Sequence, residues 1–306
     1  MLGPFLETLI GGLLTGVLYS LVALGFVLIF KASGVFNFAQ GAMVLFAALS
    51  FARLSEFMPL PLALILAVGV MIALAYAIEF LVLRRLVNQD GIILFMATLG
   101  IAYFLEGFGQ TVWGSDIYKI RLGLPTNPIF ILESVFPGGI LIDPSELIAA
   151  SICAAMVLVL ALFFQMTRVG RALRAVADDH QAAQSVGIPL NQIWLVVWAV
   201  AGLVALVAGM MWGTKLGVQF SLSLVALKAL PVLILGGFTS IPGAIVGGLI
   251  IGAGEKLAEI MLGPVLIRTF DLAGGGIENW FAYVLALVFL LFRPQGLFGE
   301  RIIERV

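Results

Sequence analysis

Long blocks of apolar residues dominate the chain, and short polar stretches separate them. A helix that crosses a membrane needs about 20 mostly apolar residues, because lipid offers no hydrogen-bond partners to the backbone and a helix satisfies its own. The pattern therefore predicts an all-α, polytopic transmembrane helical bundle with about eight or nine spans. The candidate spans are residues 5–30, 36–52, 60–83, 92–113, 146–165, 193–212, 222–236, 241–262 and 277–292.

Two of these candidates, residues 36–52 and 222–236, are short enough to be re-entrant or half-helices rather than full crossings. Lys and Arg cluster in the short loops on the side of Arg84 and Arg85, and cytoplasmic loops carry the excess of these residues. This bias predicts a periplasmic N-terminus and a cytoplasmic C-terminus. Residues 114–144, which contain Pro125, Pro128, Pro137 and Pro144, are predicted to form an external, turn-rich loop.

Composition supports a membrane protein without enzyme chemistry of its own. Of 306 residues, 62% are hydrophobic and 11% are charged, and the mean hydropathy of +1.17 is far above that of soluble domains. We therefore interpret residues 1–306 as one transmembrane domain. The net charge of -1 offers no basic surface, so no nucleic-acid partner is predicted. Cys153 and His180 are single, which leaves no disulfide framework and no paired-histidine metal motif, and no metal or cofactor is predicted.

Small residues four positions apart let helix backbones approach closely in lipid. This spacing predicts tight helix packing, either within the subunit or along a seam with a second subunit. The pairs are Gly12 and Gly16, Ala205 and Gly209, Gly243 and Gly247, and Gly248 and Gly252.

The polar stretch TRVGRALRAVADDHQAAQSVGIPLNQ occupies the loop of residues 167–190 and extends to Gln192. Regularly spaced alanines predict a helix from Arg171 to Ser185, which Gly187 and Pro189 would end. The helix is too polar to enter lipid. It fits two interpretations equally: an amphipathic helix that inserts into a groove of a partner protein, or an interfacial helix whose arginines contact lipid headgroups.

Asn37 and Gln40 interrupt apolar sequence where the second candidate span begins, next to Gly41. Amide side chains are costly against lipid, so these residues face protein or water. One interpretation is a helix N-terminus that lines the transport path and meets a solute carboxylate. The other is a helix cap with an interhelical hydrogen bond.

Ionisable and polar residues within apolar segments form a second group of candidates. Glu106 and Gln110 lie one turn apart in the fourth candidate span, and Lys228 and Glu255 lie in apolar segments that flank Thr239. Such groups either stabilise the bundle or line a path. If the two flanking segments form a hairpin, Lys228 and Glu255 are predicted to pair.

The polar loop also resembles the cytoplasmic coupling loop of ABC-importer permeases, specifically the LivH type of branched-chain amino-acid permease. The similarity continues in GVLYSLVALGFVLIFKASGVFNFAQGAMVLFAA (residues 16–48), FMATLGIAYFLEG (95–107), LKALPVLILGGFTSIPGAIVGGLIIGAGEKL (227–257) and FRPQGLFG (292–299). It covers nearly the whole chain in order. Gln40 departs from it, since many members have a histidine there, which weakens any inference about the solute from this position.

The resemblance implies a non-enzymatic permease subunit in the bacterial inner membrane. Its partners would be a second related permease, two cytoplasmic ATPase subunits and a periplasmic solute-binding protein, and its solute a branched-chain or other small amino acid, with urea or a short amide as the alternative. The chain has no GxxxxGK[ST] phosphate loop, so hydrolysis would occur on another chain. An ion-coupled secondary transporter using Glu106, Lys228 and Glu255 is the alternative of another class.

Two sets of functional residues follow. The resemblance assigns contact with the ATPase to Arg168, Gly170, Arg171, Ala172, Arg174, Ala175, Asp178, Asp179 and Gly187. The polar interruptions assign the translocation path to Asn37, Gln40, Gly41, Glu106, Gln110 and Lys228.

Overall fold

The computed structural model describes residues 2–86, 89–125, 127–133, 136, 139–178, 180–270 and 276–299, and nearly all of its regular structure is helical. The predicted all-α class is confirmed. The helices are α1 (Leu2–Ser33), α2 (Gln40–Phe57), α3 (Leu60–Leu81), α4 (Gly91–Trp113), α5 (Pro144–Met166), α6 (Arg168–Asp178), α7 (His180–Ser185), α8 (Leu190–Leu216), α9 (Val225–Lys228), α10 (Leu230–Gly236), α11 (Ile241–Phe270) and α12 (Ile277–Phe292).

Within the described residues, five helices are long and apolar enough to cross a membrane, and a sixth crossing arises if one bent pair counts as a span. The bent pair joins Phe220–Gly236 to α11 at an angle of 115°. The first part of this pair is the segment predicted to be short or re-entrant, and it consists of a 3-10 turn at Phe220–Leu224 followed by α9 and α10. The total of eight or nine crossings stays a prediction.

The chain forms two compact units, and one contains Leu24–Leu122 and Met156–Leu227. At its centre, α2 packs against α3, α4 and α8, and it is buried without interruption from Gln40 to Ala52. A Cβ built on Gly209 of α8 would lie 2.5 Å from the carbonyl oxygen of Val44. The helices therefore meet through backbone at this point, as the small-residue spacing predicted.

The other unit contains Met1–Ala23, Gly123–Ala155 and Lys228–Val306. Here the first half of α1 meets α11 through glycines on both helices. A Cβ built on Gly16 would lie 2.5 Å from the carbonyl oxygen of Gly248, and one built on Gly252 would lie 2.5 Å from that of Gly12. The glycine pairs thus pack helices of the same subunit, which decides between the two interpretations for these positions.

The end of α10 is completed by residues that follow α12. The amide of Leu297 donates to the carbonyl oxygen of Leu235 at 2.8 Å, and the amide of Phe298 donates to that of Gly236 at 3.1 Å. The last carbonyls of a helix have no partners within it. The segment after α12 supplies them here, so the FRPQGLFG stretch supports the broken helix.

The predicted external loop contains a small hairpin that the sequence interpretation did not include. Strand β1 (Ile129–Ile131) pairs antiparallel with β2 (Ile140–Ile142), and the amide of Leu141 donates to Glu7 at 3.4 Å. Each strand has three residues, which is too short for an alternating pattern to stand out. Pro137, one of the prolines that predicted this loop, lies outside the described residues.

Candidate functional site

The polar loop is helical over both of its described parts, α6 and α7, which cover most of the helix predicted from Arg171 to Ser185. The first begins three residues earlier, at Arg168, because the Thr167 hydroxyl accepts a hydrogen bond from the amide of Gly170 at 3.1 Å and caps the new helix. Asp179, which we assigned to ATPase contact, lies between the helices and outside the described residues.

The predicted stop signal at the end of the loop is confirmed. Gly187 has φ +85°, and the amide of Ile188 donates to the carbonyl oxygen of Ala183 at 3.0 Å while that of Gly187 donates to Gln184 at 3.0 Å. These two bonds form a Schellman motif, in which glycine takes the left-handed position at low cost. Gly187 therefore fixes where α7 ends and how the chain enters α8.

One face of α6 is buried and the opposite face is open. Gly170, Leu173 and Val176 are buried at helical spacing, and the contact beneath them is very close. A Cβ on Gly170 would lie 1.9 Å from the carbonyl oxygen of Phe164 in the last turn of α5. The helix thus rests directly on the backbone of α5, and only glycine fits at that point.

Two of the arginines in the loop have a role that the sequence interpretation missed. Arg174 Nη1 donates to the carbonyl oxygen of Phe164 at 2.7 Å, and Arg171 Nη1 donates to that of Met166 at 3.3 Å. These carbonyls end α5 and lack helical partners, and cations are favourable at a helix C-terminus. The arginines therefore fix α6 to α5, whether or not they also contact a partner.

The remaining coupling candidates surround this buried face. Ala172 and Ala175 are half-buried, and Arg168 and Asp178 are exposed. Because Ala172 and Ala175 are small, the surface of α6 between the exposed charged residues is shallow and accessible. Such a surface can bind a partner through shape, with the charges setting the register.

Asn37 and Gln40 are fully buried and bonded to one another. Asn37 Nδ2 donates to Gln40 Oε1 at 3.3 Å, and Asn37 Oδ1 accepts from the amide of Ala39 at 3.1 Å. The hydroxyl of Thr98, from α4, accepts from the amide of Phe38 at 3.2 Å. Thr98 thus supplies a hydrogen bond between α4 and the segment before α2, while α2 itself begins after Ala39 without a side-chain cap. The translocation role of both residues remains a prediction.

Gly41 and Gln40 are both enclosed by neighbouring backbone. A Cβ on Gly41 would lie 2.3 Å from the carbonyl oxygen of Ser223, and one on Gly25 would lie 2.2 Å from Gln40 Nε2. The N-terminal turn of α2 is therefore covered by the turn that precedes α9. Gln40 Nε2 is buried, and the described part of the chain offers it no hydrogen-bond acceptor.

Replacing Gln40 with methionine separates the two interpretations of this position. An unpartnered buried amide group costs roughly 1–3 kcal/mol. Gln40→Met removes the unpartnered Nε2 but also the acceptor of Asn37 Nδ2, so we expect the melting temperature to change little. Heating in the presence of a thiol-reactive dye measures this, because Cys153 is the one cysteine and is buried. Normal uptake by such a variant would contradict a path role, whereas lost uptake in a stable variant would support it. Asn37→Leu is the comparison, since it also removes the hydrogen bond to Ala39.

Glu106 and Gln110 lie beside the buried face of α4 rather than on it. That face consists of Leu94, Thr98, Ile101, Leu105 and Gly109. Glu106 is half-buried and Gln110 is exposed within this chain. Both side chains therefore point away from the core of their own unit.

Lys228 pairs with a carboxylate that the sequence interpretation did not select. Its Nζ lies 3.6 Å from Glu278 Oε1, and Lys256 Nζ lies 3.5 Å from Glu278 Oε2. Among the described residues, the carboxylate within ion-pair distance of Lys228 is that of Glu278, and the charge of Lys228 also acts on Glu255. The predicted pairing of Lys228 with Glu255 stays a prediction. Glu255 is buried and forms a side-chain hydrogen bond with Tyr19.

Comparisons with known proteins agree with this geometry. Residues 8–293 match the family model described as branched-chain amino acid transport system / permease component. The chain is 28% identical to the high-affinity branched-chain amino acid transport system permease protein BraD of Pseudomonas aeruginosa, over 99% of this chain and 98% of that protein. It is also 28% identical to LivH of Salmonella typhimurium and to LivH of Escherichia coli, each over 99% of this chain and 98% of the relative.

Proposed function

The chain belongs to the family of branched-chain amino acid transport system permease components, and from this premise we propose that it carries a branched-chain or other small amino acid across the bacterial inner membrane. It is the membrane-spanning permease subunit of an ABC importer, and ATP hydrolysis takes place on separate subunits. Relatives of nearly equal length with that printed activity support the choice of solute.

The observation that carries the coupling role is the attachment of α6 to α5. Gly170 brings the two backbones into contact, and Arg174 closes the end of α5, so a force applied to α6 reaches a long apolar helix without an intervening flexible loop. The coupling surface consists of the outer face of α6, with Arg168, Ala172 and Ala175, and continues through α7. An ATPase that moves this surface would tilt α5 and α8 with it.

The remaining partners follow from the importer class. The proposed assembly contains a second related permease, two cytoplasmic ATPase subunits and a periplasmic solute-binding protein. The Arg84 and Arg85 side, the α6–α7 loop and the C-terminus are cytoplasmic in this proposal, and residues 114–144 are periplasmic. The bias of Lys and Arg supports this orientation.

Site-directed cross-linking tests the coupling surface. With a cysteine at Ala175, we expect a disulfide or short maleimide cross-link to an ATPase subunit in membranes that import leucine. Gly69 provides the control, because it is exposed on α3 and a side chain there meets no atom within 4 Å. Cross-linking from position 69 but not from position 175, in membranes that import leucine, would contradict the proposal.

A further inference from the structure

Lys228, Glu278 and Lys256 form a cluster in which one carboxylate is shared by two ammonium groups. The three residues come from α9, α12 and α11, respectively, and all belong to the same compact unit. Their side chains are 30%, 34% and 41% exposed. We refer to these three residues as the charge triad.

If α11 and α12 both cross the bilayer, their lengths place the triad at the depth of the lipid chains. Helix α12 has 16 residues, which gives a length of about 24 Å against a hydrocarbon core of about 30 Å. If Arg293, just after α12, lies at one membrane surface, the first turn with Glu278 falls short of the other surface. Lys256 is near the middle of the 30-residue α11, about 22 Å from either end. Charges at this depth are expensive and mark functional positions.

The contacts within the triad are loose. The nitrogen-to-oxygen distances of 3.6 Å and 3.5 Å exceed the 2.7–2.9 Å typical of charge-assisted hydrogen bonds. The backbone amide of Glu278 donates instead to Glu259 Oε2 at 3.0 Å, which holds the start of α12 in place. The backbone of Glu278 is thus held by Glu259, while its carboxylate is shared between two long ion pairs.

We propose that the charge triad binds the zwitterionic backbone of the transported amino acid, an assignment that rests on the proposed function. The solute carboxylate lies between the ammonium groups of Lys228 and Lys256, and its ammonium group lies on Glu278. Two loose internal ion pairs are exchanged for contacts of the same charge type, so the net gain is small and the solute can leave. No covalent step is involved.

In this proposal, the position of Lys228 at the end of α9 explains how the solute is released. It is the last residue of α9, and Ala229 and Pro231 separate it from the body of α10. Proline inside the first turn of α10 removes a backbone donor, so the join between the two helices lacks a continuous hydrogen-bond ladder. A change in angle at this join moves Lys228 away from Glu278 and separates the two halves of the zwitterion site.

A triple variant that lacks the three charges of the triad distinguishes solute binding from a purely structural role. Replacing all members of an ion network with apolar residues of similar size is often neutral or stabilising. Because the triad is also partly exposed, Lys228→Met, Glu278→Met and Lys256→Met together should assemble normally. We expect leucine uptake by the complete importer in proteoliposomes, with leucine-loaded binding protein, to fall about tenfold to hundredfold, equivalent to the loss of one or two charge-assisted contacts. The melting temperature and the yield of the complex should be unchanged.

If the triple variant takes up leucine at a rate within about twofold of the unmodified importer, the proposal is overturned, because the loss of a charged contact should have a larger effect. If the triple variant fails to assemble, the single variant Lys256→Met tests the proposal instead, because it leaves the ion pair of Lys228 and Glu278 intact. If Lys256→Met lowers leucine uptake about tenfold or more while the yield of the complex is unchanged, the proposed binding site is supported. If uptake falls only in proportion to the yield of the complex, the proposal is overturned. Failure of the unmodified importer to take up leucine, isoleucine, valine or alanine would instead refute the proposed function.

Discussion

Replacing Gly170 with alanine should uncouple the permease while leaving its insertion into the membrane intact. The added methyl group would lie 1.9 Å from the carbonyl oxygen of Phe164, a backbone atom that cannot rotate away. Overpacking of this kind costs about 1–3 kcal/mol, which shifts the equilibrium for docking of α6 on α5 by about fivefold to a hundredfold. The displaced helix also loses the bond from Arg174 to the same carbonyl.

Three measurements check this result: leucine uptake in proteoliposomes, recovery of the ATPase subunits with the permease, and the amount of permease in the membrane. We expect the first two to fall and the third to stay constant. Gly69→Ala is the control, because its methyl group meets no neighbouring atom within 4 Å. Uptake by Gly170→Ala equal to that of the control would show that the contact with α5 does not transmit motion. Ala172→Glu should leave the contact intact and still weaken ATPase recovery, since it alters only the half-buried outer surface.

Replacing Gly252 with valine should prevent the first half of α1 from packing on α11. A Cβ at this position would lie 2.5 Å from the carbonyl oxygen of Gly12 and 2.5 Å from the backbone nitrogen of Gly16. Both neighbours are backbone, so the helices must separate, and the close van der Waals contact that drives association in lipid is lost. We expect the largest stability loss of any variant considered, of the order of 3 kcal/mol or more.

The melting curve followed by dye labelling of Cys153 measures this loss. Gly254→Ala is the matched control on the same helix, because its methyl group would meet Phe281 Cε1 at 3.4 Å and Leu285 Cδ2 at 3.6 Å, which are ordinary contacts with side chains. An equal melting temperature for Gly252→Val and Gly254→Ala would show that α1 and α11 do not pack through their backbones.

The sequence predicted those features that depend on local composition and spacing. Apolar length located the helices, the four-residue spacing of glycines marked positions on α1 and α11 where backbones approach closely, and Gly187 marked the end of α7. Each of these signals is contained within a few consecutive turns, so no knowledge of the tertiary arrangement was needed.

Features that depend on contacts between residues far apart in the sequence could not be predicted from local patterns. Glu278 is 50 positions from Lys228, and nothing in the intervening sequence indicates that α12 brings its first turn to the end of α9. The donation by Arg174 to the end of α5 was missed for a different reason: an arginine in a polar loop looks equally suited to lipid, to a partner or to a helix end. Only the folded structure shows which of these three partners the arginine contacts.

The bonds from Leu297 and Phe298 to the end of α10 have a consequence for biosynthesis. Their donors come from the last residues that the structure describes, more than 50 positions after the carbonyls they satisfy. While the ribosome is still translating the intervening stretch, the tip of α10 therefore lacks its native hydrogen bonds. Completion of the broken helix must wait until Leu297 and Phe298 have been translated, so the end of α10 is expected to mature only after α11 and α12 have been made.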